Sequence, residues 1–404
     1  MSKKKKNFLI LLLVIVSLAA VSVAVVVFLL TPFFQPRSDV PFEQDEVEES
    51  RMATTDNSNQ TSAPTIMPPT IDVLSTTSAF PFVQRWVAQY ENQQLASPGN
   101  VNVNYLPDSE LLVAQEDRSW SRTGLAIVGV PNENSTNTLN IPVSAQAVAI
   151  VYNIPSFPDI PSGLRLNSTM VSLILNGSIS GWNDEAIKDL NPSLNLPDER
   201  IVVVHGDDDN NSSSSSSLIL LNQYLGLQSL SWPKNDSITV SGPAELAETV
   251  RKTPYSVGYV DFSYAVQTRM TYAAVGDTDG NYIVPSIQTI DQAVDVALQF
   301  QESITNRTSL PLLQQSPPTI NASRIENGSY PIVGLYYASL LASDDERDDD
   351  GQRSVARLDF VEWVISETGG QQTLLEVQYP PIYSSNEELA TYATMVMDTM
   401  KNNL

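Results

Sequence analysis

The side chains with the most chemical potential lie in one polar segment that follows a β-branched run at 201–204. His205 is the single histidine of the 404 residues, and three aspartates at 207–209 and Asn210 come shortly after it. Clustered carboxylate and amide oxygens are the ligands that Ca²⁺ prefers. Six serines follow at 212–217, and this composition favours a solvated loop over a calcium site.

Two other acidic segments give no metal site either. The run at 344–351 lacks the Asp-x-Asp-x-Asp-Gly spacing of a calcium loop, so we interpret it as an exposed loop. Asp277 and Asp279 precede Gly280 between two apolar runs, which predicts a hairpin turn. We therefore predict no metal and no cofactor.

Nucleophilic catalysis finds no support in the sequence. The chain has no cysteine, which excludes a thiol nucleophile, disulfides and Cys-ligated zinc or iron–sulfur sites. A Ser-His-Asp triad would depend on His205 alone, for which we prefer a structural or rim role. The sequence contains no Gly-x-Ser-x-Gly nucleophile elbow, and neither a P-loop nor a kinase signature is present. We therefore predict that the chain has no catalytic residues and is not an enzyme.

The charge balance limits the classes of partner that the protein can bind. Lys and Arg number 22 against 46 Asp and Glu, for a formal net charge of −24. Nucleic-acid binding depends on basic patches that neutralise phosphates, so an acidic chain is a poor candidate. The apolar fraction of 42% is normal for a globular protein.

The N-terminal segment predicts a membrane anchor. Lysines at 3–6 precede an apolar stretch at 8–30, which as a helix is ~35 Å long and can span a bilayer. The alternative is a cleaved signal peptide with a small-residue site at 22–24. We prefer an uncleaved anchor because 25–30 is still apolar, and a buried core helix is disfavoured at this length. The lysines place residues 1–7 in the cytosol and the folded part outside the cell or in a lumen.

The next segment, 31–74, is rich in Ser, Thr, Pro, Asn and Gln without periodicity, and we predict a disordered stalk there. An exported chain can be glycosylated at Asn-x-Ser/Thr sequons. Those proposed as glycosylation candidates are Asn59, Asn134, Asn167, Asn176, Asn235, Asn306, Asn321 and Asn327. Two further sequons begin at Asn210 and Asn211.

Strand and helix patterns alternate through the remaining chain. Strands are predicted at 146–152, 201–204, 257–260 and 332–341, and a hairpin at 270–284. Helices are predicted at 168–175, 184–190, 218–225, 244–251, 290–300, 356–366 and 387–400. The pattern predicts an α/β fold with at least one mixed sheet.

Several of these segments, in this order, resemble the phosphate-binding proteins of ABC-type phosphate import. The matching text is IPVSAQAVAIVYNIP at 141–155, ILNGSISGWNDEAI at 174–187, the Leu-Asn-Pro at 190–192 and VRKTPYSVGYVDFSYA at 250–265. The resemblance implies a two-lobed type II periplasmic binding protein-like fold over residues 75–404. Two hinge crossings, near 152–153 and 258–261, would separate lobe one (about 75–151 plus 259–404) from lobe two (about 152–258).

The same resemblance implies an oxyanion site built from helix N-termini, hydroxyls, an Arg and a proton-accepting Asp. In the first loop Ala79 stands where the family has Thr, with Ser78 beside it and the Phe80 amide as a donor. Ser109 is the candidate for the second loop. No acid lies at 123–128, where the proton-accepting Asp is expected, and Ile127 or Val128 takes its place.

The third loop departs further from the family pattern. Gly206 replaces the binding Arg, Asp208 matches the Asp that orients it, and Ser212 matches the final Thr. Two aspartates ~5 Å from an anion repel it by several kcal/mol at an effective dielectric near 20. The predicted ligand-binding set is therefore Ser78, Ala79, Phe80, Ser109, Asp208, Asn210, Asn211 and Ser212.

Three functions are weighed against one another. The first is a membrane-anchored solute-binding module that captures or senses phosphate or another small oxyanion. The second is a surface or adhesion protein on the same scaffold that has lost its ligand, for which glycans at Asn210 or Asn211 would be a sign. The third, a phosphate-ester hydrolase, lacks metal or nucleophile residues. The sequence does not indicate whether a permease partner exists.

Overall fold

The computed structural model describes residues 70–93, 100–106, 123–131, 138–157, 163–207, 215–299, 317–325, 328–341 and 352–403. They all belong to one compact unit, Ile66–Leu404. The predicted tail and anchor at 1–30 lie outside the described residues. No helix within the described ranges is both long and apolar enough to cross a membrane.

Strands and helices alternate along this unit. The strands are β1 (Thr70–Thr76), β2 (Asn100–Leu106), β3 (Leu125–Val128), β4 (Thr138–Asn153), β5 (Arg165–Leu166), β6 (Val202–Gly206), β7 (Ser237–Val240), β8 (Ser256–Asp261), β9 (Thr271–Tyr272), β10 (Ala274–Gly276), β11 (Tyr282–Ile283), β12 (Leu298–Gln299), β13 (Thr319–Ile320) and β14 (Val333–Leu341). The helices are α1 (Phe80–Gln93), α2 (Ser168–Leu175), α3 (Glu185–Leu190), α4 (Ser216–Leu225), α5 (Pro243–Lys252), α6 (Phe262–Gln267), α7 (Ile287–Ala297), α8 (Gln352–Ile365), α9 (Gly370–Leu374) and α10 (Glu387–Asn403). The predicted α/β class is confirmed, and β1 begins within the range assigned to the stalk.

Within the described ranges, one mixed, nine-stranded sheet carries the fold. Its strand order is β2-β1-β3-β14-β4-β8-β6-β7, and β9 pairs with β4 off this path. Neighbours are parallel in β1–β2, β1–β3, β6–β7 and β6–β8, whereas β14 and β8 run antiparallel to β4. The predicted mixed sheet is therefore confirmed.

The long strand β4 belongs to both ends of this sheet. Its residues 138–147 pair with β14, and its residues 148–153 pair with β8. We call β2, β1, β3, β14 and 138–147 the first half-sheet, and 148–153, β8, β6 and β7 the second half-sheet. Almost every residue of β4 is buried, so both halves share one apolar core.

The prediction for β4 was too short because Pro142 stands within the strand. A proline has no N–H for the ladder and is tolerated in a sheet at a bulge. The pairing of β4 with β14 shifts register here, between Tyr336 and Tyr337, and Tyr337 lies opposite Pro142. The strand therefore continues past a residue that, from sequence alone, indicates an interruption.

Local signals predicted the short elements well. The predicted helix at 168–175 is confirmed as α2, and Asn167 caps it by accepting a hydrogen bond from the Met170 amide at 2.8 Å. The predicted hairpin is confirmed, since β10 and β11 pair antiparallel around the turn at 277–280. Gly280 has a positive φ of 86°, which suits a glycine in such a turn.

Candidate functional site

The predicted first loop is the turn between β1 and α1. The Ala79 amide donates to the Thr76 carbonyl at 3.2 Å, and the Phe80 amide donates to the Thr77 carbonyl at 3.4 Å. The Ser78 hydroxyl lies 3.2 Å from the Thr76 hydroxyl. Ala79 is fully buried, whereas Phe80 is 37% exposed. The turn thus presents a hydroxyl and the start of a helix, with its first amides already bonded inside the turn.

A buried cluster of aromatic side chains packs against this turn and fixes its position. The Tyr379 hydroxyl donates to the Ser78 carbonyl at 2.9 Å. The rings of Phe82, Tyr336 and Tyr379 pack edge to face, with Phe82 4.7 Å from Tyr379. Edge-to-face pairs of this kind are favourable beyond the area they bury. The position of Ser78 is therefore set by the C-terminal part of the chain.

The same cluster holds a buried acid, Asp261, at the end of β8. Its carboxylate accepts hydrogen bonds from the Tyr336 hydroxyl at 3.0 Å and from the Ser263 amide at 2.9 Å. Burial raises the pKa of Asp261 to about 6, because the charged form loses its hydration, and these hydrogen bonds oppose the rise only in part. Asp261 caps α6, so its first role is structural.

The end of β3 is apolar, at the place where the family pattern has a proton-accepting acid. Ile127 and Val128 are buried hydrophobic residues. Gly129 follows, and a Cβ added there would lie 2.6 Å from Ser216 Cβ and 2.8 Å from Gln146 Oε1. The end of β3 therefore directly contacts the start of α4.

The start of α4 is capped and buried. The Ser215 hydroxyl accepts a hydrogen bond from the Leu218 amide at 3.3 Å, and Gly226 ends the helix with φ 66°. The Gln146 side chain donates from Nε2 to Ser216 Oγ at 2.8 Å. Gln146 and Ser216 are 0% and 2% exposed, and Gln146 Oε1 has no hydrogen-bond partner among the described residues.

His205 packs at the end of β6, as the structural interpretation predicts. Its ring stacks on Trp232 with centroids 4.4 Å apart and planes 5° apart. Its Nδ1 lies 2.8 Å from the Gly206 carbonyl, and only 6% of the residue is exposed. Trp232 also stacks on Tyr259 of β8, so these three rings form one layer.

Most of the predicted ligand set lies outside the described residues. This applies to Ser109, Asp208, Asn210, Asn211 and Ser212, which stay predictions. Of the sequons, Asn59, Asn134, Asn306 and Asn327 also lie outside. Asn235 is exposed, and Asn167, Asn176 and Asn321 are half-buried. Among the described side chains, no three acids or histidines group in a way that could hold a metal ion.

From the sequence, Gln146, Gly129 and Asp261 have no part in a binding site, although the structure places each in contact with a distant part of the chain. Gln146 carried a weak signal, because it is a polar residue at the start of an apolar run. Asp261 carried another, since an acid ends the buried strand β8. Neither signal identifies the hydrogen-bond partner, because Ser216 and Tyr336 are each about 70 residues or more away along the chain.

The fold and its central residues can be compared with known proteins. A model of the PBP superfamily domain matches residues 124–368. This match covers more than half of the chain, so the chain belongs to the PBP superfamily. The family resemblance stated from the sequence is thereby confirmed.

Individual relatives agree with this membership. The chain is 26% identical over 333 residues to the phosphate-binding protein PstS of Methanocaldococcus jannaschii, covering 74% of this chain and 80% of that protein. A high affinity periplasmic phosphate-binding protein (PfluDING), solved with phosphate, matches with a TM-score of 0.56 at 12% identity, covering 80% and 93%. A phosphate ABC transporter substrate-binding protein from Clostridium perfringens, also with bound phosphate, matches with a TM-score of 0.51 at 14% identity, covering 78% and 99%. At these identities the two structures support the fold alone.

Proposed function

We propose that this protein is a membrane-anchored, outward-facing solute-binding module that captures or senses phosphate or another small oxyanion. The observation that supports it best is membership of the PBP superfamily together with relatives named as phosphate-binding proteins. Binding, rather than turnover of the ligand, is the activity proposed.

The ligand would lie between two lobes joined by hinge crossings, with lobe one at about 75–151 plus 259–404 and lobe two at about 152–258. The Ser78–Phe80 turn and the segment that leads from β6 to α4 would face it from either side. Helix N-termini attract anions through their dipoles, even in an acidic protein, because the field is local. At the turn before α1 the Ala79 and Phe80 amides already bond to Thr76 and Thr77, which leaves the dipole as the main attraction there. A single hydroxyl at Ser78 and no arginine at Gly206 predict weaker binding than a complete site would give.

Anchoring rests on the apolar stretch at 8–30 and the lysines at 3–6. We expect the full chain to stay with membranes in alkaline carbonate, and a chain that lacks residues 1–30 to be released. Release of the full chain would contradict the anchor.

Phosphate binding is tested by isothermal titration of the full chain in detergent. We expect saturable heat with phosphate, and a weaker response in Ser78→Ala, while Ser241→Ala, an exposed serine on β7's edge of the sheet, serves as the matched control. No heat at millimolar phosphate would contradict the proposal.

The alternative is a surface or adhesion protein on the same scaffold. It is favoured by Gly206 in place of the family's arginine and by the three aspartates at 207–209, which oppose an anion. Two results together would support it: glycans at Asn210 or Asn211, found by mass spectrometry of the native protein, and no heat of binding when phosphate is titrated into it.

A further inference from the structure

A buried acid lies behind the predicted ligand turn. The Tyr379 hydroxyl donates to the Ser78 carbonyl at 2.9 Å. The carboxyl of Asp261 also acts on this hydroxyl, since burial and then the charge of Asp261 raise the pKa of Tyr379 well above its ordinary value. Asp261 and Tyr379 are almost completely buried, so water does not compete for these contacts. Polar groups therefore connect the Asp261 carboxyl to the backbone of Ser78.

Tyr379 has one proton for several acceptors. A tyrosine hydroxyl carries a single O–H. Ser78 offers a carbonyl, Asp261 a carboxylate and Ser263 a hydroxyl oxygen. The Ser263 hydroxyl gives its own proton to the Gln378 carbonyl at 2.6 Å, so towards Tyr379 it can only accept. These acceptors therefore compete for one proton.

The charge of Asp261 decides this competition. A hydrogen bond to an ionised acceptor is roughly twice as strong as one between neutral groups. An ionised Asp261 attracts the Tyr379 proton, and the Ser78 carbonyl then loses this partner. A neutral Asp261 has an O–H of its own to donate, which leaves the Tyr379 proton bonded to Ser78.

The groups around this carboxyl are polar or apolar rather than charged. Tyr336 of β14 donates to it at 3.0 Å, α6 supplies backbone amides and the Ser263 hydroxyl, and Tyr379 lies on the segment that follows α9. On β4 the residue opposite Asp261 is the apolar Val148. Burial raises the pKa of Asp261 to about 6, and among the described residues only hydrogen bonds oppose the rise. Tyrosines keep their protons at such a pH, so Asp261 is the group that changes charge here.

We propose that Asp261 is a proton switch for the Ser78 turn. When neutral, it leaves Tyr379 bonded to the Ser78 carbonyl and the turn fixed. When ionised, it draws Tyr379 away and loosens the turn. This inference deepens the proposed function and rests on it wherever a ligand is concerned. Asp261 is then a positioning residue that acts on the ligand through Tyr379.

The switch makes ligand binding depend on pH. An ionised Asp261 repels an anion at the turn and also releases Ser78, so both effects weaken binding above a pH of about 6. A unit charge ~10 Å from an anion changes its affinity roughly tenfold at an effective dielectric near 20. By linkage, an oxyanion that binds there favours the neutral carboxyl. The site would thus capture a small oxyanion together with a proton that Asp261 takes from the solvent.

The first test needs no ligand. The sequence contains three Ser-Ala pairs, at 62–63, 78–79 and 144–145. Labelling serine with ¹³C at the carbonyl and alanine with ¹⁵N therefore gives three carbonyl signals in triple-resonance NMR of the full chain in detergent. We expect the Ser78 signal to shift with a midpoint at a pH of about 6, and the Ser62 signal, from outside the compact unit, to stay constant. A Ser78 signal that does not move between pH 5 and pH 7 would overturn the switch.

Variants show whether the connection runs through Tyr379. Tyr379→Phe removes the hydroxyl and keeps the acid, so the Ser78 signal should lose its pH dependence. Tyr282→Phe on β11, which belongs to another sheet, is the matched control and should keep it. Asp261→Asn also removes the titration, and it serves if Tyr379→Phe does not fold, as judged by circular dichroism. A folded Tyr379→Phe that titrates like wild type would overturn the proposal.

The second test measures affinity. Inorganic phosphate, titrated calorimetrically into the full chain, should bind Asp261→Asn roughly tenfold more tightly than wild type at pH 7 and equally at pH 5. The ionisation of phosphate itself is the same for both proteins, so it cancels in the ratio of the two dissociation constants. A ratio that does not change with pH would overturn the proposal.

The outcome for the switch is separate from the outcome for phosphate. If the Ser78 signal titrates as expected and no phosphate binds at either pH, the switch stands and the proposed function fails. If phosphate binds and the Ser78 signal does not titrate, the proposed function stands and the switch fails.

Discussion

The carboxyl of Asp261 shows how one residue links two parts of the molecule. Asp261 is the last residue of β8 and the N-cap of α6. Its carboxylate accepts a hydrogen bond from the hydroxyl of Tyr336, which lies on β14. Removing its hydration is the largest effect on its pKa, which rises to about 6. In the unfolded chain an aspartate titrates near pH ~3.9. The folded protein therefore holds this proton more tightly than the unfolded chain does.

This difference predicts how stability depends on pH. Because the folded-state pKa of Asp261 is raised, its contribution favours folding below pH ~4 and is lost as the pH rises to about 6. We expect wild type to lose on the order of 3 kcal/mol relative to Asp261→Asn across this window. Guanidinium unfolding at pH 4 and pH 7 measures the loss, and Glu388→Gln, at an exposed position, is the control. If the free energy of unfolding changed by the same amount between pH 4 and pH 7 in wild type and in Asp261→Asn, the prediction would be contradicted.

At this scale the sequence indicated which residue types to examine, but not their partners. The turn at Ser78 was chosen from the residue order around Phe80, a local property. The bond between Gln146 and Ser216 joins positions 70 residues apart. Such a contact exists only after β4 and α4 are packed, so no local pattern carries it.

Elements were predictable where their signals are local. The capped helix α2 and the hairpin of β10 and β11 depend on a few adjacent residues. The strand β4 was predicted too short, because its bulge near Pro142 is accommodated by β14, which lies far away in sequence. Local chemistry defines a helix or a turn, whereas a central strand is defined by its neighbours.

The cap of α2 gives a prediction at the scale of an element. Asn167→Ala removes the hydrogen bond to the Met170 amide and should cost ~1 kcal/mol of stability. Asn167→Asp keeps the cap and should cost much less. Both changes remove the sequon at 167, so a glycan effect would appear equally in both. Thermal or chemical unfolding measures the stability of each variant. An equal loss of stability in Asn167→Ala and Asn167→Asp would contradict a role of the cap.

At the scale of the whole molecule, β4 makes the two half-sheets one structure. The strand pairs with β14 over 138–147 and with β8 over 148–153, and its side chains are buried on both stretches. Separate unfolding of either half would expose part of one continuous core. Adjacent parts of a structure that share a core tend to open as one cooperative unit.

We therefore expect one global opening reaction for both halves. Hydrogen exchange followed by mass spectrometry, in increasing guanidinium, should give β14 and β8 the same free energy of opening. The end of α10, with exposed Lys401, should exchange at much lower cost and shows that the measurement resolves local opening. Two separate free energies for β14 and β8 would show that the halves unfold independently.

The pairing of β4 with β14 also has a consequence for biosynthesis. Asn140 of β4 meets Ser339 of β14, 199 residues later in the chain. The strands β6, β7 and β8 are complete before β14 leaves the ribosome, so we expect the second half-sheet to form first. Pairings at long range form slowly and leave strand edges open in the meantime. A nascent chain without cysteines cannot hold this intermediate by a disulfide, so the edges of β3 and β4 that pair with β14 stay open until β14 is synthesised.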